Sequence, residues 1–360
     1  MRHKKLLFCI FAIFAIAILS SCTPRSESYL KKGDDAAANK KYTDAINYYS
    51  EAIKLDKRNV KALINKSYTL LLMQQYNNAI SCAEEAIKVD SKYGQAYAYK
   101  GLALYKQQNY IDALKYFEKS ITLGYKNPEI YNEKGVILML YNKTDLAITS
   151  FDEALKLNSN FSSALVNKAS CLVSLGKYDD ANKYFNTALN VDKNKIKIYN
   201  EKGLSLKNAQ KYDEAVDAFS KALSINPKDP VLYYNKGLTL YAKQSYTEAL
   251  ECFNKAISIN SKYSNAYDAK GLCLSAMGKD NDAITAYNKA IKIDPNNSYA
   301  YNDKACSLVT LNKPNDALDC YNTALKLSPS SKDIYKNKGS LLQLLGKNKE
   351  AQECFAKAGN

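Results

Sequence analysis

One pattern returns every 34 residues through nearly the whole chain without an insertion, and nothing else in the sequence limits the fold so tightly. The copy from Ile196 to Asp229 shows it best. Tyr199, Gly203 and Leu206 are spaced four and three residues apart, and Ala215, Phe219 and Ala222 repeat that spacing, which puts each trio on one face of a helix. Between the trios the polar run from Lys207 to Lys211 has no apolar stripe to bury, and Asn226-Pro227 stops the second helix. The unit is therefore a helix–turn–helix hairpin. Small residues at Gly203, Ala215 and Ala222 lie where the two helices approach closely, while Tyr199 and Phe219 fill the wider gaps.

Copies begin at Ser26, Val60, Gly94, Pro128, Ser162, Ile196, Pro230, Ser264, Ser298 and Lys332, the tenth reaching Asn360 in its second helix. The first alanine of the second helix is invariant, from Ala45 and Ala79 through to Ala317 and Ala351. The eighth position is always small: Gly33, Ser67, Gly101, Gly135, Ala169, Gly203, Gly237, Gly271, Ala305 and Gly339. A large aromatic, a small residue, Leu, then Ala, aromatic, Ala and a terminal Pro resemble the tetratricopeptide repeat. The departures are mild. The leading aromatic is Tyr or Leu (Leu63, Leu165), Ser120 replaces the last alanine once, and the terminal proline is kept at Pro227, Pro295 and Pro329. The resemblance implies an all-α, right-handed superhelical solenoid of about ten hairpins over residues 26–360, one architectural domain in which each repeat touches only its neighbours.

Ahead of the repeats, Met1 to Ser21 carries Arg2, Lys4 and Lys5 and then an apolar run of about 14 residues, short of the roughly 20 that a spanning helix needs. It reads as a secretion signal. Leu19-Ser20-Ser21-Cys22 resembles the lipobox of bacterial lipoproteins, which implies cleavage before Cys22 and lipidation of its sulfur, with residues 22–25 as a short tether. The expected location is extracytoplasmic, on the outer face of a bacterial plasma membrane or on an outer membrane, held by acyl chains.

Charge narrows the partners. The chain has 51 basic and 36 acidic residues, a net charge of +15, and nearly all of the basic residues are lysine. Arg2, Arg25 and Arg58 are the only arginines. Without the planar fork that reads bases and grips phosphate, and with an extracytoplasmic destination, nucleic acid is not expected as a partner. Lysine also fills the seventh position of all ten repeats, from Lys32 to Lys338. That position borders the buried trio, so stems that cover the helix seam account for the column more simply than a functional basic stripe.

Chemistry of its own is not expected. The single histidine, His3, leaves with the signal, and no phosphate loop, nucleophile elbow or H-E-x-x-H helix occurs. Cys82, Cys252, Cys320 and Cys354 share one repeat position, the residue before the packed second-helix position, and read as buried thiols rather than a disulfide framework. No cofactor, metal or catalytic residue is predicted, and residues 26–360 leave no room for a catalytic domain.

What remains is a groove. In the family, the first helix of each repeat presents its second, fifth, sixth, ninth, twelfth and thirteenth residues to a bound peptide. Carried over, the fifth or sixth residue is Asn65, Asn132, Asn167, Asn200, Asn235, Asn302 or Asn337, with Tyr99, Tyr105, Tyr234 and Tyr241 beside them and Glu133, Glu201, Asp268 and Asp303 supplying acid. Asparagine offers donor and acceptor together, so a ladder of amides is suited to peptide backbone, although asparagine is also frequent throughout this chain. The expected function is a non-catalytic scaffold that binds other proteins or peptides in envelope or secretion-complex assembly. A receptor for secreted peptides or glycans, and a non-catalytic subunit of an envelope enzyme, are the alternatives. An exposed edge around Leu345, Phe355 and Ala358 is the expected route to a homo-oligomer.

Overall fold

The structure is a computed structural model that describes residues 25–359, and every regular element among them is an α-helix. The expected secretion signal and the expected lipidation site at Cys22 lie outside the described residues. Two compact units divide after Cys171. The first holds α1 (25–38), α2 (Tyr42–Leu55), α3 (Val60–Leu72), α4 (Tyr76–Val89), α5 (Gly94–Lys106), α6 (Tyr110–Thr122), α7 (Pro128–Leu140), α8 (Thr144–Leu157) and most of α9 (Ser162–Ser174). The second holds α10 (Tyr178–Val191), α11 (Lys195–Asn208), α12 (Tyr212–Ile225), α13 (Pro230–Ala242), α14 (Tyr246–Ile259), α15 (Ser264–Ala276), α16 (Asp280–Ile293), α17 (Ser298–Thr310), α18 (Pro314–Leu327), α19 (Lys332–Leu344) and α20 (Asn348–Ala358). Within each unit successive helices pack as hairpins, and each hairpin packs on the next, as in a helical-repeat solenoid.

The small eighth position and the aromatic sixteen residues later form the contact that closes the hairpin. A Cβ placed on Gly237 would stand 2.6 Å from the Phe253 ring, and one on Gly101 would stand 2.7 Å from Phe117. Those rings are wholly buried, so the glycine surface is what they pack on. The α3–α4 hairpin makes the complementary exchange: Ala83 replaces the ring, and Ser67 replaces glycine, its hydroxyl donating to the Ala79 carbonyl at 2.8 Å. The invariant alanines, Ala45, Ala79, Ala113 and their counterparts, are buried beside this contact.

The turn after each odd-numbered helix follows one rule that the sequence reading passed over. The fifteenth repeat position is left-handed in all ten repeats, at Lys40, Gln74, Gln108, Asn142, Gly176, Gln210, Gln244, Gly278, Asn312 and Gly346. After α13, Ser245 N–H donates to the Leu240 carbonyl and Gln244 N–H to that of Tyr241, each at 2.9 Å, closing the carbonyls that a helix end leaves open. Glycine at Gly176, Gly278 and Gly346 was the available signal. Starts are capped where the side chain permits: Asp229 accepts from Val231 N–H at 2.9 Å, and Asn59 from Ala62 N–H at 2.9 Å.

At the C-terminal edge, Leu345 is exposed, Phe355 is half-buried, and Ala358 is buried. The apolar edge expected from all three is thus smaller than the sequence suggests, because α20 folds Ala358 inward.

Gly237→Val should cost about 1–3 kcal/mol, since the ring of Phe253 has no room to retreat. Gln244→Gly should instead gain about 0.5–1 kcal/mol by relieving a left-handed backbone. Denaturant midpoints of the two variants check this, and shifts of the same sign for both would refute the assignment of the two contacts.

Candidate functional site

The face of interest belongs to the odd-numbered helices, where the second, fifth, sixth, ninth and twelfth repeat positions fall on one stripe. Six of the seven asparagines assigned to it meet one another in pairs. Asn167 donates to Asn132, Asn235 to Asn200, and Asn337 to Asn302, each from Nδ2 to Oδ1 at 3.0 Å. Each pair joins the fifth position of one repeat to the sixth of the next. Asn65 donates instead to Asp34 Oδ1 at 2.8 Å, and Asp34 Oδ1 also accepts from the Tyr49 hydroxyl at 2.9 Å.

This corrects the continuous ladder expected from sequence. The amides form separate dyads at the fourth–fifth, sixth–seventh and ninth–tenth repeat junctions, because other residue types occupy the remaining ones. Each dyad uses one amide N–H and one carbonyl lone pair; at Asn132–Asn167 and Asn200–Asn235 this leaves the second N–H of the donor and both N–H groups of the acceptor with capacity for another partner, whereas in the third dyad Asn302 Nδ2 also donates to Asp303 at 2.9 Å and Asn337 Nδ2 lies 3.8 Å from Cys306 Sγ. Asn132 and Asn302 are themselves buried, held at the bottom of the stripe.

Tyrosines occupy other positions of the stripe. In the first unit Tyr68 stacks on Tyr99 at 5.1 Å between ring centroids, and Gln95 Nε2 donates to the Tyr99 hydroxyl at 2.8 Å. Tyr105 lies tilted against Tyr110 at 5.8 Å, and burial with the nearby Glu133 carboxylate pushes its phenol up. Glu129 is also pushed up, by burial first and then by the Glu133 charge, with Lys106 opposing. Sequence reasoning missed Tyr68 and Glu129, although both occupy stripe positions, the ninth and the second.

In the second unit Tyr234 packs 5.2 Å from Tyr263 and 6.0 Å from Phe253, and burial raises its phenol to about 12. Tyr241 packs 5.5 Å from Tyr246. One junction departs from the rest: Asp268 and Asp303 occupy the two positions that carry asparagine in the dyads. Asp303 Oδ1 accepts from Asn302 Nδ2 at 2.9 Å, whereas Asp268 Oδ1 is buried without a hydrogen-bond partner. Burial, followed by the Asp303 charge, raises Asp268 to about 7, and burial raises Asp303 too.

Most of the seventh-position lysines are half-buried, with Lys32 exposed and Lys168 buried. In the first unit they meet acids of the preceding hairpin: Lys100 with Glu84 at 2.7 Å, Lys134 with Glu118 at 3.4 Å, and Lys168 with Asp152 at 2.5 Å. In the second unit the corresponding partner position carries Asn186, Ser220, Asn254, Asn288 or Asn322. Lys202 lies 5.7 Å from the Phe185 ring, and burial, reinforced by Lys221, pushes its ammonium down. Six of the seven described cysteines are buried, and Cys306 is half-buried. Among the described residues no three His, Cys, Asp or Glu side chains gather as metal ligands, and no helix is long and apolar enough to cross a membrane.

Comparison with known proteins agrees with this geometry. Tetratricopeptide repeat models match residues 66–128, 142–195, 196–229, 230–263 and 302–358, and a TPR repeat model matches 271–305. The chain belongs to the tetratricopeptide repeat family. Such repeats mediate protein–protein contacts, and the molecule is an interaction scaffold of that class. A comparison with curated proteins finds no match. Among solved structures, a tetratricopeptide repeat protein from Parabacteroides merdae ATCC 43184 is similar at 19% identity and a TM-score of 0.54, over 69% of this chain and 98% of that one. The C-terminal part of a TPR repeat-containing protein from Cytophaga hutchinsonii aligns at 21% identity with a TM-score of 0.47, over 67% of this chain and 98% of that one.

The acidic junction makes a pH prediction. Asp268 is held near 7 in the folded chain against an ordinary 3.8, so between those values the folded state keeps a proton that the unfolded state has lost. Stability contributed by that proton is fully present below the ordinary 3.8, falls as pH rises from there to about 7, and is gone above it. The groups that face the pair are Tyr234 and Tyr241 of α13, Tyr287 of α16 and Asp303 of α17, with Cys306 and Tyr321 beyond Asp303. Asp268→Asn should therefore raise the melting temperature most at about pH 8 and less at about pH 5. Thermal unfolding across that range checks it; a variant effect independent of pH would show that the carboxyl carries no proton.

Proposed function

We propose that the protein is a lipid-anchored, extracytoplasmic scaffold that binds extended peptide segments of partner proteins along the odd-helix stripe, in the assembly of an envelope or secretion complex. The observation that carries this reading is the set of asparagine dyads. A buried or half-buried amide pair, with donors left over at Asn132–Asn167 and Asn200–Asn235 and tyrosines elsewhere on the stripe, suits peptide backbone irrespective of its side chains. Support for the anchor is the signal-like Met1 to Ser21 followed by Leu19-Ser20-Ser21-Cys22.

Two measurements test it. Changing Asn132, Asn200 and Asn302 together to alanine should reduce binding to a library of extended decapeptides by about tenfold or more, each lost buried hydrogen-bond set contributing on the order of 1 kcal/mol. Mass spectrometry of the native protein should find a mature chain that starts at a diacylglyceryl-modified Cys22, and Cys22→Ala should release it from membranes. Unchanged peptide binding would remove the dyads from the site, and an unmodified Cys22 would remove the anchor.

A further inference from the structure

The dyads at Asn132–Asn167, Asn200–Asn235 and Asn302–Asn337 each complete an N–H···O bond of 3.0 Å across a repeat junction. At the junction of α15 with α17, the same two positions carry Asp268 and Asp303, and once both are ionised, above about pH 7, the pair has no donor to complete that bond. Asn302 supplies one to Asp303 at 2.9 Å, but Asp268 Oδ1 stays buried, with no partner. Two desolvated anions at one place are costly unless a cation joins them. Among the described residues no lysine or arginine acts on either carboxyl, in a chain with 51 basic side chains. The pair thus lacks a counter-charge.

We propose that Asp268 and Asp303 seat the cationic side chain, lysine or arginine, of a peptide segment bound along this stripe in the second unit. This rests on the peptide-binding reading above and adds to it a specificity pocket. The class of cation follows from the surroundings. Hard metal ions take six or more oxygen ligands, and no third acid or other metal ligand joins the pair among the described residues. Tyr234 and Tyr241, seven residues apart on one face of α13, lie within reach of the Asp268 and Asp303 charges, respectively. Carboxylates beside tyrosine rings match an ammonium or guanidinium group on an aliphatic stem: the rings take the stem and the face of the cation, and the acids take its N–H donors.

The full-length protein in neutral detergent, with labelled decapeptides of alanine and serine as probes, tests this. The probes carry one central lysine, arginine, norleucine or glutamate. The expected order is lysine and arginine about tenfold tighter than norleucine, with glutamate weakest, although the chain's net positive charge would on its own disfavour the basic probes. Asp268→Asn with Asp303→Asn recreates the pairing seen at three other junctions. It should fold and keep its affinity for the norleucine probe, but lose the basic preference to within about twofold. Asp316→Asn, at an exposed acid on α18, should keep it. If the norleucine probe binds wild type as tightly as the lysine probe, or if the double variant retains the preference, the pocket is overturned while peptide binding stands. If no probe binds wild type, both fall together.

Discussion

The packing of an aromatic ring on a glycine or alanine surface, made within a hairpin and renewed every 34 residues, is the contact on which the remaining structure depends. It sets how closely the two helices of a hairpin approach, and hence where the next hairpin must sit. Because the ring is wholly buried and protein interiors are close-packed, the register tolerates little variation. Where the ring is lost, at Ala83, the facing residue changes as well, to Ser67, and the gap is bridged by a hydrogen bond rather than left as a void.

With hairpin geometry held by apolar contacts, polar side chains are released to act at the junctions. The asparagine dyads, the Asp34–Asn65 bond and the Lys100–Glu84 and Lys168–Asp152 pairs all link neighbouring hairpins. They lie on opposite sides of the odd-numbered helices. The lysine pairs cover the seam with the preceding even-numbered helix, and the amide dyads line the stripe where a ligand would lie. Stacking and recognition thus use separate residue positions, so the stripe varies from junction to junction without disturbing the fold. Asp268 and Asp303 are the extreme case of that freedom.

Most of the fold could be read from the sequence, because periodic spacing of small and large residues translates directly into helix faces. The candidate stripe was legible only in part. Asn132, Asn200 and Asn302 could be placed by repeat position, but their pairing with Asn167, Asn235 and Asn337 could not, since the fifth position of one helix meets the sixth of the next only through the stagger between hairpins. Tyr68 and Glu129 were passed over because neither repeats. The left-handed fifteenth position was hidden by Gln74, Gln108, Gln210 and Gln244, residues with no glycine signature.

Linear order by itself determined the period, the hairpin and the buried trio, all properties of residue type at fixed spacing. Tertiary structure alone decided which polar side chains face each other across a junction. Whether two amides donate and accept, or two carboxyls are left in need of a cation, depends on distances between helices that are far apart in the chain, and no local pattern encodes those distances.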